Sequence, residues 1–235
     1  MACMGRALAP AVTLALAALT FAARPAAQAP PTAADLAQRI QAHYDTVHDF
    51  RAGFKQTYTS GALGEKEIER GDVRIKKPSR MYWKYDPPTK KAWIADGTRI
   101  FFYDATSGDP SCTITPIPQG DQIPQGVTFL AGRGNLVRDF TSGVPASQGV
   151  DTWQLDLLPH VPQDDFAALT IVVSRKTLAL ESFITTDREG NTDRFDFSAL
   201  QENAGLGDAE FAFTPPRGVR CEAPNSRPRL PKDTP

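Results

Sequence analysis

The residues best equipped for bond-making chemistry are dispersed along this 235-residue chain. His43, His48 and His160 have no serine or cysteine nucleophile and no carboxylate at a motif spacing, so none reads as the base of a nucleophile–base pair. No Gly-x-Ser-x-Gly elbow, His-Glu-x-x-His pair or phosphate-binding glycine loop is present. Asp86, Asp96, Asp104 and Asp187 stand beside turns, where a carboxylate caps backbone amides; nothing pairs two of them for hydrolysis. Three unclustered histidines and two separated cysteines make a poor ligand set, so neither a metal nor another cofactor is expected, and no catalytic residue is assigned.

Cysteine usage points elsewhere. Cys3 precedes an uncharged run, Ala7 to Ala23, which with Arg6 ahead of it and Thr20-Phe21-Ala22 and Ala27-Gln28-Ala29 behind has the layout of a secretory signal. Residues 1–29 are therefore expected to be a signal peptide, cut between Ala22 and Ala29, and the run is too short to span a bilayer. In an oxidising compartment the two remaining cysteines, Cys112 and Cys221, are either bridged or two separate loop thiols. Arg6 and Arg24 are the only charges in the first 29 residues, leaving 24 basic and 27 acidic residues and a net charge of −3 in the rest. That balance excludes a nucleic-acid partner. Lys66, Arg70, Arg74, Lys76, Lys77, Arg80, Lys84, Lys90 and Lys91 do concentrate in one stretch, as solvated strand edges or as a patch for an acidic partner.

The elements that position these residues are mostly strands. Thr32, followed three residues on by Asp35, opens an amphipathic helix whose apolar face is Leu36, Ile40, Tyr44 and Val47. At Phe50 the period drops to two, with Phe50, Ala52, Phe54, Gln56 and Tyr58 on one side. The alternation returns at Val73 and Ile75, at Met81, Trp83 and Tyr85, at Trp153, Leu155 and Leu157, and at Leu169, Ile171 and Val173. Asp96-Gly97 and Glu189-Gly190-Asn191 mark hairpin turns. Thr106 to Gly126 is rich in proline and glycine and reads as a long loop with a strand at Cys112–Thr115; 127–131 and 208–210 read as single helical turns. The expected fold is mainly β, with about nine to eleven antiparallel strands in an unclosed barrel, an N-terminal helix and short helices as lid. One domain covers 30–220, and a proline-rich tail, 221–235, is expected to be disordered.

The order of four segments adds a resemblance. FRAGFKQ (Phe50 to Gln56), GDVRIKKPSRMYWKYDPP (Gly71 to Pro88), WIADGTRIFFYD (Trp93 to Asp104) and FAFTPPRGV (Phe211 to Val219) resemble the LolA family of periplasmic carriers of outer-membrane lipoproteins. The resemblance implies a non-enzymatic, monomeric periplasmic protein whose apolar cavity takes acyl chains. It implies three partners: acylated lipoproteins, an inner-membrane ATP-driven releasing complex and an outer-membrane receptor. The family's lid-holding arginine falls at Lys77, before Pro78, and its lid leucine at Tyr44, whose ring would cover the cavity while its hydroxyl reaches water. Met81 and Trp83 fall where the family places cavity-strand residues, and Ile40, Phe50, Phe54 and Phe101 are expected to line the cavity with them, although composition alone leaves open that such side chains simply fill a core. Rival readings are a lipid or glycolipid carrier or a lipoprotein-sensing domain on the same fold, and an enzyme on an apolar substrate using His160 or His48.

Overall fold

The structure is a computed structural model that describes residues 31–117, 129–132, 134–143, 150–163 and 166–223. The expected signal peptide, residues 118–126 of the expected long loop and the end of the tail lie outside the described residues.

Helix α1, Ala33–Asp45, begins where Thr32 caps it: the threonine hydroxyl oxygen accepts from the Asp35 amide at 3.2 Å and its proton goes to the Asp35 carboxylate at 2.7 Å. Its buried face holds Leu36, Ile40 and Tyr44 of the expected stripe together with Ala37, whereas Val47, also buried, lies past the end of the helix. Eleven strands follow in one sheet. They are β1 (Asp49–Thr59), β2 (Lys66–Lys76), β3 (Arg80–Tyr85), β4 (Lys91–Asp96), β5 (Arg99–Asp104) and β6 (Ser111–Pro116). After a short helix α2 (Leu136–Asp139) come β7 (Phe140–Ser142), β8 (Thr152–Pro159), β9 (Ala168–Ser174), β10 (Leu180–Thr186) and β11 (Thr192–Glu202).

The spatial order is β6-β5-β4-β3-β2-β1-β11-β10-β9-β8-β7, with antiparallel pairing throughout, so the sheet is not closed and its edges are β6 and β7. The first and last strands meet in the middle, Phe54 opposite Phe197. Their register slips between Arg51 and Gly53, the extra residue lying on β11 where Ala199 has φ 50°, and such a bulge curls the strand pair. The two expected hairpins are present: Gly97 turns β4 into β5 with φ 100°, and Gly190 turns β10 into β11 with φ 82°. Asp96, Asp104 and Asp187 each accept from backbone amides of their own turns. Gly71 is needed for another reason, since a Cβ there would lie 2.0 Å from the Lys84 carbonyl oxygen and 2.9 Å from the Phe54 ring.

Alternation gives the sheet two unlike faces. The inner face, with α1 and residues 129–131 laid against it, holds the main core. On the outer face a smaller cluster of Ala92, Ile94, Phe101 and Cys112 is covered by Phe213, Val219 and Cys221. The chain reaches that face through a 3-10 turn, Asp208–Phe211, held where Asp208 meets Lys76 at 2.6 Å and Arg80 at 3.3 Å. Cys112 and Cys221 are disulfide-bonded, and the Glu222 backbone exchanges two hydrogen bonds with β6, at 2.9 and 3.0 Å. The tail expected to be free from residue 221 is thus fastened to the sheet at its first residues. Helix α2 and β7 had no counterpart in the sequence reading, being too short to show a period.

Candidate functional site

The inner face brings together side chains from strands distant in sequence. Phe50, Ala52 and Phe54 of β1 stand beside Val73 and Ile75 of β2, Met81 and Trp83 of β3, and Phe195 of β11, and Ile40 and Tyr44 of α1 close over the same cluster. Phe195 is its hub: its ring lies 4.8 Å from Phe183, 5.1 Å from Trp83 and 5.9 Å from Phe54. Phe197 extends the array, 6.4 Å from Phe50 and 6.3 Å from Trp83. The Phe183 contact is stacked and the others are edge-on or tilted, arrangements favourable for aromatic pairs that leave a surface with few polar demands.

Of the residues expected to line a cavity, Ile40, Phe50, Phe54, Met81 and Trp83 share this inner cluster. Phe101 does not. It points to the outer face and packs 5.5 Å from Phe213, because its register partner Ile94 is also outward while Ala95 and Ile100 face in. Phe183, Phe195, Phe197 and Phe129 belong to the inner array and were missed individually. The Phe195-Asp196-Phe197 alternation was the signal for two of them.

One end of this interior carries a distinctive contact. Lys77 follows β2, its backbone amide donating to the His48 carbonyl at 2.9 Å, so its side chain runs back toward the last turn of α1. There Nζ donates to the Tyr44 carbonyl and lies 5.6 Å from the Tyr44 ring centroid. Burial pushes the Lys77 ammonium below the ordinary lysine range, with Asp45 and Glu202 pulling the other way. Tyr44 is 1 % exposed and packs 4.9 Å from Phe129. Its hydroxyl faces the Leu180 backbone without a hydrogen bond and is buried away from water, contrary to the expectation; burial pushes the phenol far up. His43 pairs with Glu202 at 3.0 Å, and Gln41 accepts from the Leu136 amide at 2.8 Å, so α1 is held to the end of β11 and to α2 by few polar ties. His48 and His160 lie apart from the inner cluster, the latter bound to the Arg138 carbonyl and the Thr141 hydroxyl at 2.9 and 3.1 Å.

An unclosed antiparallel sheet curled around an aromatic interior and stoppered by an N-terminal helix defines the class of half-open, helix-covered β-barrel proteins. The family model for the outer membrane lipoprotein carrier protein LolA matches residues 45–214, and the chain belongs to that family. It is 30% identical over 202 residues to the outer-membrane lipoprotein carrier protein of Chromobacterium violaceum, an alignment covering 86% of this chain and 94% of that one. It is 28% identical over 186 residues to the carrier protein of Methylibium petroleiphilum, covering 79% and 88%. Among solved structures, an uncharacterized conserved protein from Thermus thermophilus superposes with a TM-score of 0.50 at 12% identity, over 79% of this chain and 98% of that one, a likeness of fold alone.

Proposed function

We propose that this protein is a periplasmic carrier that shelters the acyl chains of lipoproteins released from the inner membrane and delivers them to the outer membrane. The observation that carries the proposal is the buried aromatic face closed by α1, in a chain of the carrier family. A lipoprotein with three long acyl chains would expose enough methylene to face a penalty on the order of 40 kcal/mol in water, at ~0.8 kcal/mol per CH₂. An interior of phenylalanine, tryptophan and aliphatic side chains offsets that penalty without a covalent step, so the role is binding and release.

In this form the inner rings touch one another, and entry of an acyl chain requires α1 and the 129–131 turn to move off them. Lys77 and Tyr44 are the closing residues in this reading: their contact ties the last turn of α1 to the end of β2. Ile40, Phe50, Phe54, Met81 and Trp83 supply the lining. Residues 1–29 act as the export signal, and among the described residues no helix is long and apolar enough to cross a membrane. The ATP-driven releasing complex of the inner membrane supplies the cargo, and an outer-membrane receptor takes it.

The test is incubation of the purified protein with inner-membrane vesicles bearing the releasing complex and an acylated protein. ATP should move the acylated protein into a soluble one-to-one complex with this chain. If the cargo stays in the vesicle pellet with ATP present, the proposal fails.

A further inference from the structure

Across five neighbouring strands the inward row changes from apolar to polar at the end of the interior remote from Lys77. Phe54 gives way to Gln56 on β1, Gly71 to Glu69 on β2, Trp83 to Tyr85 on β3, Trp93 to Lys91 on β4 and Phe195 to Asp193 on β11. These side chains close on one another. Gln56 Nε2 donates to both carboxylate oxygens of Asp193, at 2.9 and 2.8 Å, and its Oε1 accepts from the Tyr85 hydroxyl at 2.7 Å. Lys91 Nζ meets Glu69 at 2.6 Å and lies 4.3 Å from the Tyr85 ring centroid, while the Thr89 hydroxyl donates to Glu69 at 3.0 Å. The Tyr85 ring also stands edge-on to Phe54 at 5.0 Å, so the polar layer rests directly on the aromatic interior.

The pairing makes the layer resistant to a hydrocarbon guest. An acyl chain advancing past Phe54 would separate donors from acceptors that are half withdrawn from water, and a methylene offers them nothing in return. Burial raises the Asp193 carboxyl above the ordinary range, against the lowering effect of the Gln56 hydrogen bond and the Lys91 charge.

We infer that the layer of Gln56, Asp193, Tyr85, Glu69 and Lys91 is the floor of the acyl-chain compartment and sets the longest chain the protein shelters in full. The inference rests on the carrier reading proposed above and adds a specificity determinant to it.

The experiment measures Kd for synthetic lipopeptides that differ only in acyl length, carrying lauroyl, palmitoyl, arachidoyl or behenoyl chains. With the unaltered protein, affinity rises about fourfold per methylene added until the chain meets the floor, and then stops rising. In Gln56→Leu/Asp193→Leu the rise continues into longer chains. Tyr85→Phe, which keeps the ring and removes only the hydroxyl bonded to Gln56, moves the plateau the same way by a smaller step, and it decides the matter if the double variant does not fold. A plateau at the same chain length in folded variants and unaltered protein overturns the floor while leaving the carrier reading intact, as does an unaltered protein with no plateau. If the unaltered protein binds none of the lipopeptides, the carrier reading falls and the floor with it.

Discussion

Lys77→Leu isolates the contact on which the proposed lid depends. Its ammonium donates to a backbone carbonyl that already accepts from the Val47 amide at 3.1 Å, so the substitution leaves that carbonyl one partner and removes a charge-assisted bond. Bonds of that kind contribute about 1.5–3 kcal/mol, and the cost of burying the ammonium, visible in its lowered pKa, offsets part of this. About 1–2 kcal/mol should remain, a factor of about 5–30 in the population whose helix end is displaced. Amide exchange at Val47 reads that population, because its proton is released only when the Tyr44 carbonyl moves away. Exchange there should accelerate by the same factor, with amides in the middle of β1 unchanged. Uptake of lipopeptide should persist and onward transfer should fall, since a loosened lid leaves the filled form more stable relative to the closed one. Lys77→Arg should restore slow exchange or exceed it, its planar fork offering more than one donor to the helix end. Unchanged Val47 exchange together with unchanged uptake and transfer in Lys77→Leu would refute the latch.

Phe195→Ala removes the hub of the inner rings and should cost about 3–5 kcal/mol in urea unfolding, with lipopeptide affinity reduced as well. Replacing both cysteines by serine opens a cross-link between residues 109 apart and should lower Tm by about 6–20 °C, while Phe213 loses its protection from proteolysis, followed by mass spectrometry of the fragments. Asp193 is raised by burial, so on acidification the folded state takes up its proton before the unfolded chain does, and between the folded pKa and 3.8 this residue adds stability as pH falls. Asp104, Asp139 and Asp208 are held below 3.8 by hydrogen bonds and act in the opposite sense, losing their contribution as pH falls through their folded values. Asp193→Asn should therefore gain less, or lose more, stability than the parent on going from neutral pH to about pH 4, measured as paired urea midpoints.

The sequence is most legible where one physical rule acts alone. Thr32 and Asp35 announce α1, and the apolar spacing to Tyr44 matches its buried face. The Asp96-Gly97 turn and the alternation from Phe50 to Phe54 are read correctly because local chemistry decides both. Phe101 shows where the rule runs out. Ile100-Phe101-Phe102-Tyr103 is apolar at every position, so alternation cannot say which pair faces inward; a segment more than a hundred residues later covers Phe101 and decides it. The Tyr44 hydroxyl fails for the same reason, since the groups that bury the side chain, Phe129 beside its ring and Leu180 near its hydroxyl, come from segments far along the chain. Cys221 reads as part of the free tail because the path that brings it beside Cys112 is set by the packing of Phe213 and Val219 and not by any local pattern.

The meeting of β1 and β11 at the centre of the sheet has a kinetic consequence. Each half of the sheet is a run of neighbouring hairpins that can zip locally, but the seam joining them aligns Phe54 with Phe197 and must wait for nearly the whole chain. A nascent molecule lacking its last strand pairs β1 with β2 alone, leaves the other edge of β1 open and cannot complete the ring array around Phe195. Until synthesis is almost finished the two runs of hairpins therefore remain separate halves with no shared interior.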